Sequence, residues 1–320
     1  MKLAGSTLKK LFKGAIYFET ERGWLTPYRY SKAQLDYMAQ PGYDWGWRFR
    51  AKIAGCSRIE LKTDSTKISF KYKASDYHER ANTFDLYVNG ELRSVYKIDK
   101  VYNGKVEFSL PEGTKKVCIY MPCESIVKIK DFTLDGTYTS IKEKGSKLLI
   151  FGDSITQGAG PAFAGAAYAN ELQRMTKMNV LAQGIGGYRF EPCDLMTVDG
   201  FEPDKLLIFL GTNYYDEECL ERYDYGKAVK EYFELLVKLY PTTPIYVITP
   251  LWRNNGVIWD RFYWCIKTIK EACAQYKSIT VADGFDFVPN VDDCFSDGVH
   301  PNAYGSYHLA KNLAKFICGK

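Results

Sequence analysis

The second half of the chain alternates continuous apolar runs with stretches of helical period, and no other feature of the sequence limits the fold as much. Apolar runs at 148–151, 180–182, 206–210, 245–249 and 279–282 are separated by helical patterns near 167–177 and over 225–239 and 259–276, and a last one covers 303–317. A strand that is apolar along its length is buried on both faces, and a helical connection between two such strands returns the chain in the same direction. The spacing therefore predicts an α/β unit, a parallel sheet between helical layers. Ligands of such sheets bind beyond the carboxyl ends of the strands, so chemistry is expected in the loops that follow them.

From about Trp47 to Leu134 the texture differs. Short runs at 58–61, 67–72, 84–88, 92–97, 106–110 and 117–121 carry Val, Ile, Phe and Tyr at alternating positions, with turn residues between them. Asn89-Gly90 predicts a two-residue hairpin, because both central positions of that turn need positive φ, and Asn103-Gly104 predicts a second. Regular short strands without helical period predict an antiparallel β-sandwich of jelly-roll type. The polar stretch Lys142-Glu143-Lys144-Gly145 separates the two textures, and 320 residues is about twice a typical domain. The expected division is a sandwich domain over 1–143 and an α/β domain over 144–320.

Composition excludes several function classes. The net charge of +5 comes from 43 basic and 38 acidic residues, and the Lys are dispersed; Lys71 and Lys73 suit the outward face of a strand. A nucleic-acid partner, which would want a clustered basic stripe, is not expected. No apolar run approaches the roughly 18 to 20 residues that cross a bilayer, so no membrane partner is expected either. The nine Cys form no Cys-x-x-Cys pair, which removes the zinc-ribbon and thioredoxin readings, and neither a metal nor another cofactor is called for. The opening 1–13 lacks the apolar core of a secretory signal, and free thiols then point to a reducing cytoplasm. Oligomeric state is not legible.

Four blocks carry residues suited to chemistry. After the first apolar run comes Gly152-Asp153-Ser154-Ile155-Thr156-Gln157-Gly158, which puts a serine on a strand-to-helix turn, where a base can reach it. Asp153 and Ser154 are equally good helix caps. Near the other end lies Asp297-Gly298-Val299-His300-Pro301. A serine nucleophile needs a base to take its proton, and the base needs a carboxylate to fix its tautomer, so Asp297 and His300 are the matching candidates. Of the two other histidines, His308 falls inside the last helix, and His78 sits among Asp76, Glu79 and Arg80 in an expected polar loop. Gly211-Thr212-Asn213 presents an amide at the same edge of the sheet, and Gln183-Gly184-Ile185-Gly186-Gly187 lets a backbone N–H approach a bound group. Either block also reads as a simple turn.

Together the four blocks, in this order, resemble the SGNH hydrolases, also called the GDSL family, over roughly 147–320. The resemblance implies a flavodoxin-like, three-layer hydrolase domain with Ser154 as nucleophile, His300 as base and Asp297 orienting it. It implies an oxyanion hole from the Ser154 N–H, the Gly187 N–H (Gly186 as alternative) and the Asn213 side chain. Tyr214 stands where many members have Asp. Thr83-Phe84-Asp85-Leu86-Tyr87 is similar to the Gly-x-Asp-Leu-Tyr motif of N-terminal β domains in some SGNH proteins. A β domain ahead of an SGNH domain resembles carbohydrate esterases that remove acetyl groups from plant polysaccharides. The function this implies is a serine esterase that deacetylates O-acetylated carbohydrates, its partner a small-molecule or oligosaccharide ester. The rivals are a lysophospholipase or thioesterase with the same residues, and a carbohydrate-binding protein without catalysis. Asp153, Tyr188, Tyr214 and Trp252, with Tyr215 nearby, are the candidate substrate contacts.

Overall fold

The computed structural model describes residues 1–75, 82–98, 102–214, 224–255 and 257–319. In chain order the first part carries β1 (Phe12–Lys13), β2 (Tyr17–Glu21), β3 (Trp24–Tyr28), β4 (Arg58–Thr63), β5 (Lys67–Ala74), β6 (Thr83–Val88), β7 (Glu91–Lys97), β8 (Asn103–Ser109), β9 (Lys115–Tyr120), β10 (Val127–Leu134) and β11 (Tyr138–Ser140). They form two antiparallel sheets, β1-β4-β9-β6-β7 with β11 beside β4, and β2-β3-β10-β5-β8. Alternation along the strands sends Ile59, Leu61, Leu86 and Ile119 inward from the first sheet to meet Phe70, Val106, Ile129 and Phe132 from the second, all fully buried. That is the packed interior of a β-sandwich.

Asn89 (φ 53°) and Gly90 (φ 93°) close the β6–β7 hairpin as expected. The second hairpin is a correction: Asn103 and Gly104 lie inside β8, opposite Lys73 and Tyr72 of β5. Glycine stands there for room, because a Cβ at 104 would sit 2.7 Å from the Tyr72 ring. Trp47, from which the run of strands was expected to start, lies instead on a helix.

The remainder holds a five-stranded parallel sheet of β12 (Lys147–Gly152), β13 (Asn179–Gly184), β14 (Lys205–Phe209), β15 (Ile245–Ile248) and β16 (Ile279–Ala282), in the order β13-β12-β14-β15-β16. This is the flavodoxin-like order, whose switch point lies between β12 and β14. With α1 (Gly5–Lys9), α2 (Lys32–Met38) and α3 (Trp45–Ala51) in the N-terminal part, the later helices are α4 (Ser154–Gln157), α5 (Tyr168–Thr176), α6 (Tyr225–Leu239), α7 (Trp259–Cys273) and α8 (Ala303–Cys318). Leu148, Ile150 and Leu207 face Leu172 of α5 and Leu309 and Leu313 of α8. Leu149, Leu206 and Ile208 face Val229 and Phe233 of α6 and Ile269 of α7. Burial of both faces is why these strands read as unbroken apolar runs. No helix among the described residues is long and apolar enough to cross a membrane.

The N-terminal part is sewn onto this sheet in two places. Tyr28, Tyr30, Leu35, Met38 and Ala51 belong to the apolar core on the α6–α7 face. Arg29, fully buried, donates to the carbonyls of Ile53 (2.8 Å), Arg50 (3.3 Å), Ala182 (2.7 Å) and Gly184 (3.0 Å), while Gln34 and Gln183 exchange amide hydrogen bonds of 2.9 and 3.0 Å. On the other face of the sheet, Thr83 Oγ1 accepts from Ala164 N (2.9 Å) and Asp85 Oδ2 from Gly165 N (2.5 Å). Two residues of the Thr83–Tyr87 motif thus hold the loop before α5.

Burial pushes the Asp85 carboxyl up to about 6 from its ordinary 3.8, against the pull of the Gly165 N–H, the Thr83 hydroxyl and the Arg174 charge. A carboxyl whose folded value is raised binds more protons folded than unfolded between those two pH values. Stability from this group is therefore full below about pH 4 and is lost as pH rises through 6. Relative to wild type, Asp85→Asn should gain about 2 kcal/mol between pH 4 and pH 7.5. Urea unfolding at both pH values measures this, and an unchanged difference would refute it.

Candidate active site

β12 ends at Gly152, where a side chain would collide with Thr156, so the chain turns at once into α4. Asp153 caps that helix, its Oδ1 accepting from Ile155 N at 3.0 Å, and Ser154 is the first helical residue. The serine is thus presented at the carboxyl end of β12, at the switch point of the sheet. Asp153 is buried to 1% exposure, and that burial raises its carboxyl to about 6 despite the Ile155 N–H and the charges of His300 and Arg253. Its place is beneath the serine as a cap, not on a surface that substrate can touch.

The other half of the site is a tight loop before α8. Ser296 N donates to His300 O (2.9 Å), and Phe295 pairs with Pro301 across the base of the loop. Within it Asp297 Oδ1 accepts from the backbone N–H groups of Val299 (3.1 Å) and His300 (2.9 Å), and Oδ2 lies 2.9 Å from His300 Nδ1. His300 Nε2 lies 2.8 Å from Ser154 Oγ. Partial burial acts to raise the Asp297 carboxyl, but the hydrogen bonds and charge of His300 and the Val299 N–H outweigh it and hold the group well below the carboxylate range. An ionised Asp297 accepts a hydrogen bond from Nδ1–H, and in the neutral imidazole Nε2 is then the acceptor for the serine hydroxyl.

Neighbouring loops brace this arrangement. Asn254 N donates to Gly298 O (3.0 Å) and Asn255 Nδ2 to Asp297 O (3.1 Å). Ser296 Oγ donates to Gly160 O (2.5 Å), and a Cβ at Gly160 would stand 2.9 Å from His300 Cβ. The loop after α4 therefore packs directly on the histidine.

Two further blocks reach the same edge. Gly186 N donates to Gln157 Oε1 at 2.8 Å, so its N–H is spent inside the protein. Gly187, exposed and at φ +76°, has no hydrogen-bond partner for its N–H among the described residues. Asn213 follows β14, and its Nδ2 donates to Tyr188 O (2.9 Å), with the second amide hydrogen uncommitted by any bond among the described residues. That contact ties the Asn213 amide to the Gly187 loop.

The aromatic candidates separate. Tyr214 is fully buried, stacked on Phe190 and donating to Phe190 O at 3.2 Å, so it belongs to the core and not to a substrate wall. Tyr188 is nearly buried and donates from its hydroxyl to Asp194 (2.8 Å). Trp252 is half-buried against Phe295, with ring centroids 5.6 Å apart, and keeps part of its surface open. His308 is half-buried on α8 between Tyr304 and Tyr307. His78 and Tyr215 lie outside the described residues. Two neighbours of the glycine loop were not anticipated from sequence: Arg50 and Trp47 of α3, which stand 3.0 and 3.7 Å from the positions where Cβ atoms of Gly186 and Gly187 would project. Nothing in an isolated Trp-Gly-Trp-Arg stretch signals that its helix packs on a loop more than 130 residues away.

Comparison with known proteins bears on the family and the fold. The model of the GDSL-like Lipase/Acylhydrolase family matches residues 150–307. No curated protein matches the chain. A solved structure described as a GDSL-like lipase from Bacteroides ovatus is similar with a TM-score of 0.77 at 20% identity, over 100% of this chain and 97% of the other. The salicylyl-acyltransferase SsfX3 of a tetracycline biosynthetic pathway gives 0.75 at 18%, over 96% and 94%. A family two carbohydrate esterase from Clostridium thermocellum, solved with cellohexaose, gives 0.66 at 18%, over 83% and 94%. Resemblance at these identities is one of fold, and it extends through the β-sandwich as well as the parallel sheet. Over residues 150–307 this chain carries a domain of the GDSL-like lipase/acylhydrolase family.

Proposed function

We propose that the protein is a serine esterase that removes acetyl groups from O-acetylated carbohydrates. The observation that carries this is the hydrogen-bonded line from Ser154 Oγ through His300 (2.8 Å) to Asp297 (2.9 Å), at the end of the central strands. His300 takes the serine proton as Oγ attacks the ester carbonyl, and returns it to the departing alcohol. Water, deprotonated by the same nitrogen, then attacks the acetyl-enzyme; acetate leaves and Ser154 regains its proton. In both tetrahedral states the negative oxygen lies against the N–H groups of Ser154 and Gly187 and the free Asn213 amide hydrogen. Each such donor is worth about 2.7 to 4 kcal/mol. The commitment of the Gly186 N–H to Gln157 supports Gly187 over its neighbour.

The carbohydrate reading is supported by the likeness in fold to a family two carbohydrate esterase and by the resemblance of the β-domain-plus-SGNH layout to acetyl-removing esterases. All eight cysteines among the described residues are free thiols, which supports action in a reducing compartment such as the cytoplasm.

A fluorophosphonate probe tests the chemistry. Mass mapping should place one adduct on Ser154 and none after His300→Ala, and hydrolysis of aryl esters should fall from acetate to longer acyl groups. An adduct elsewhere refutes the nucleophile, and a preference for long acyl chains refutes the acetyl assignment.

A further inference from the structure

The wall of the site beside Gly187 is supplied by α3, a helix outside the 150–307 segment that matches the hydrolase family. Its position is fixed at both ends. Asp44 caps it, with Oδ1 accepting from Trp47 N at 2.7 Å, and at the far end the Arg29 guanidinium holds the Arg50 and Ile53 carbonyls together with those of Ala182 and Gly184. One buried cation thus ties the end of α3 to the strand tip from which the Gly184–Gly187 turn departs.

Held this way, the Trp47 ring stands edge-on to Tyr188 (5.1 Å, 72°) and to Tyr43 (6.4 Å, 68°). Its Nε1 lies 3.7 Å from where a Gly187 Cβ would project, and no other atom beyond the chain neighbours comes within 4 Å of that point. Gly187 therefore opens onto space bounded by the indole. Trp47 is half-buried, and its N–H makes no hydrogen bond among the described residues. An indole N–H shielded from water ordinarily finds a partner, and this one lies beside Gly187, the proposed oxyanion donor.

Resting on the esterase reading above, we propose that Trp47 is a specificity-determining residue that lines the leaving-alcohol subsite and donates from Nε1 to a hydroxyl of the acetylated sugar. With the ester carbonyl oxygen at the Gly187 N–H, the alcohol side of the ester would lie beside the indole. An acetyl methyl has no use for a donor, whereas a sugar ring offers both hydroxyl acceptors and C–H faces that pack on an aromatic. The juxtaposition makes the sandwich half of the chain a contributor to substrate choice.

Trp47→Phe keeps an aromatic ring beside Tyr188 and deletes the donor. The ratio of kcat/KM for an acetylated xylo-oligosaccharide to that for 4-nitrophenyl acetate should fall about tenfold, carried by KM and not by kcat. A second measurement compares the two proteins on altered substrates. Across acetylated methyl xylosides that each lack one hydroxyl, wild type should lose about tenfold for one particular deletion, and Trp47→Phe should be indifferent to that same deletion. An unchanged ratio, a fall in kcat alone, or equal sensitivity of both proteins to every deletion overturns the role of Trp47. Wild-type enzyme that cleaves 4-nitrophenyl acetate but no acetylated sugar overturns the carbohydrate reading itself.

Discussion

Ser154→Ala is expected to lower ester hydrolysis by about 10⁴- to 10⁶-fold while leaving the fold intact. In the proposed mechanism the loss is large because the Ser154 hydroxyl forms the covalent bond to the acyl group, and His300 and Asp297 would have nothing to act on without it. The fold should be spared because, among the described residues, the Ser154 Oγ hydrogen-bonds only to His300, on a partly exposed surface. Asp153, which does the capping, is untouched. Purified variant with the wild-type unfolding midpoint and more than a hundredth of the wild-type rate would end the assignment.

The second large effect concerns stability. Arg29→Met should destabilise the protein by at least about 3 kcal/mol and lower the Tm by at least roughly 4 °C. Methionine fills much of the volume but offers no donor. The carbonyls of Ile53, Ala182 and Gly184, all bonded to Arg29 in buried surroundings, would lose that partner at once. A buried acceptor left unmet costs about 1 to 3 kcal/mol. Arg29→Lys should fall between, since an ammonium cannot span four carbonyls on two sides as a planar guanidinium does. A Tm within 2 °C of wild type for Arg29→Met would show that the joint contributes little.

The α/β half was legible nearly to the residue, for a physical reason. Strands such as β12 and β14 are buried on both faces and their helices on one, so the period of the sequence switches cleanly between them. The pairing of Ser154 with His300 was legible because so few histidines compete and because the reaction requires a base and its orienting carboxylate. The N-terminal elements were hidden by local exceptions. The β2–β3 hairpin turns on Arg22 (φ 48°) and Gly23 (φ 80°), and arginine at positive φ carries no turn signal. In β10 the inward side changes phase: Val127 and Ile129 point in, then Phe132 and Leu134, with Asp131 at φ 57° where the register shifts against β5. That bulge destroys the simple alternation by which a strand is recognised. Arg29 and Trp47 were invisible for a different reason, since their roles exist only after two distant parts of the chain have met.

Arg29 also bears on how the molecule keeps to itself in a crowded solution. β13 is one of the two edge strands of the parallel sheet, and an edge strand with unmet carbonyls is a template on which a foreign chain can add itself. Two of those carbonyls, Ala182 and Gly184, are already occupied by the guanidinium, and the Gln34–Gln183 amide pair covers the residue between them. The stretch that carries Trp47 therefore also covers this strand edge, and removal of the first fifty residues should leave β13 open to pairing with another chain.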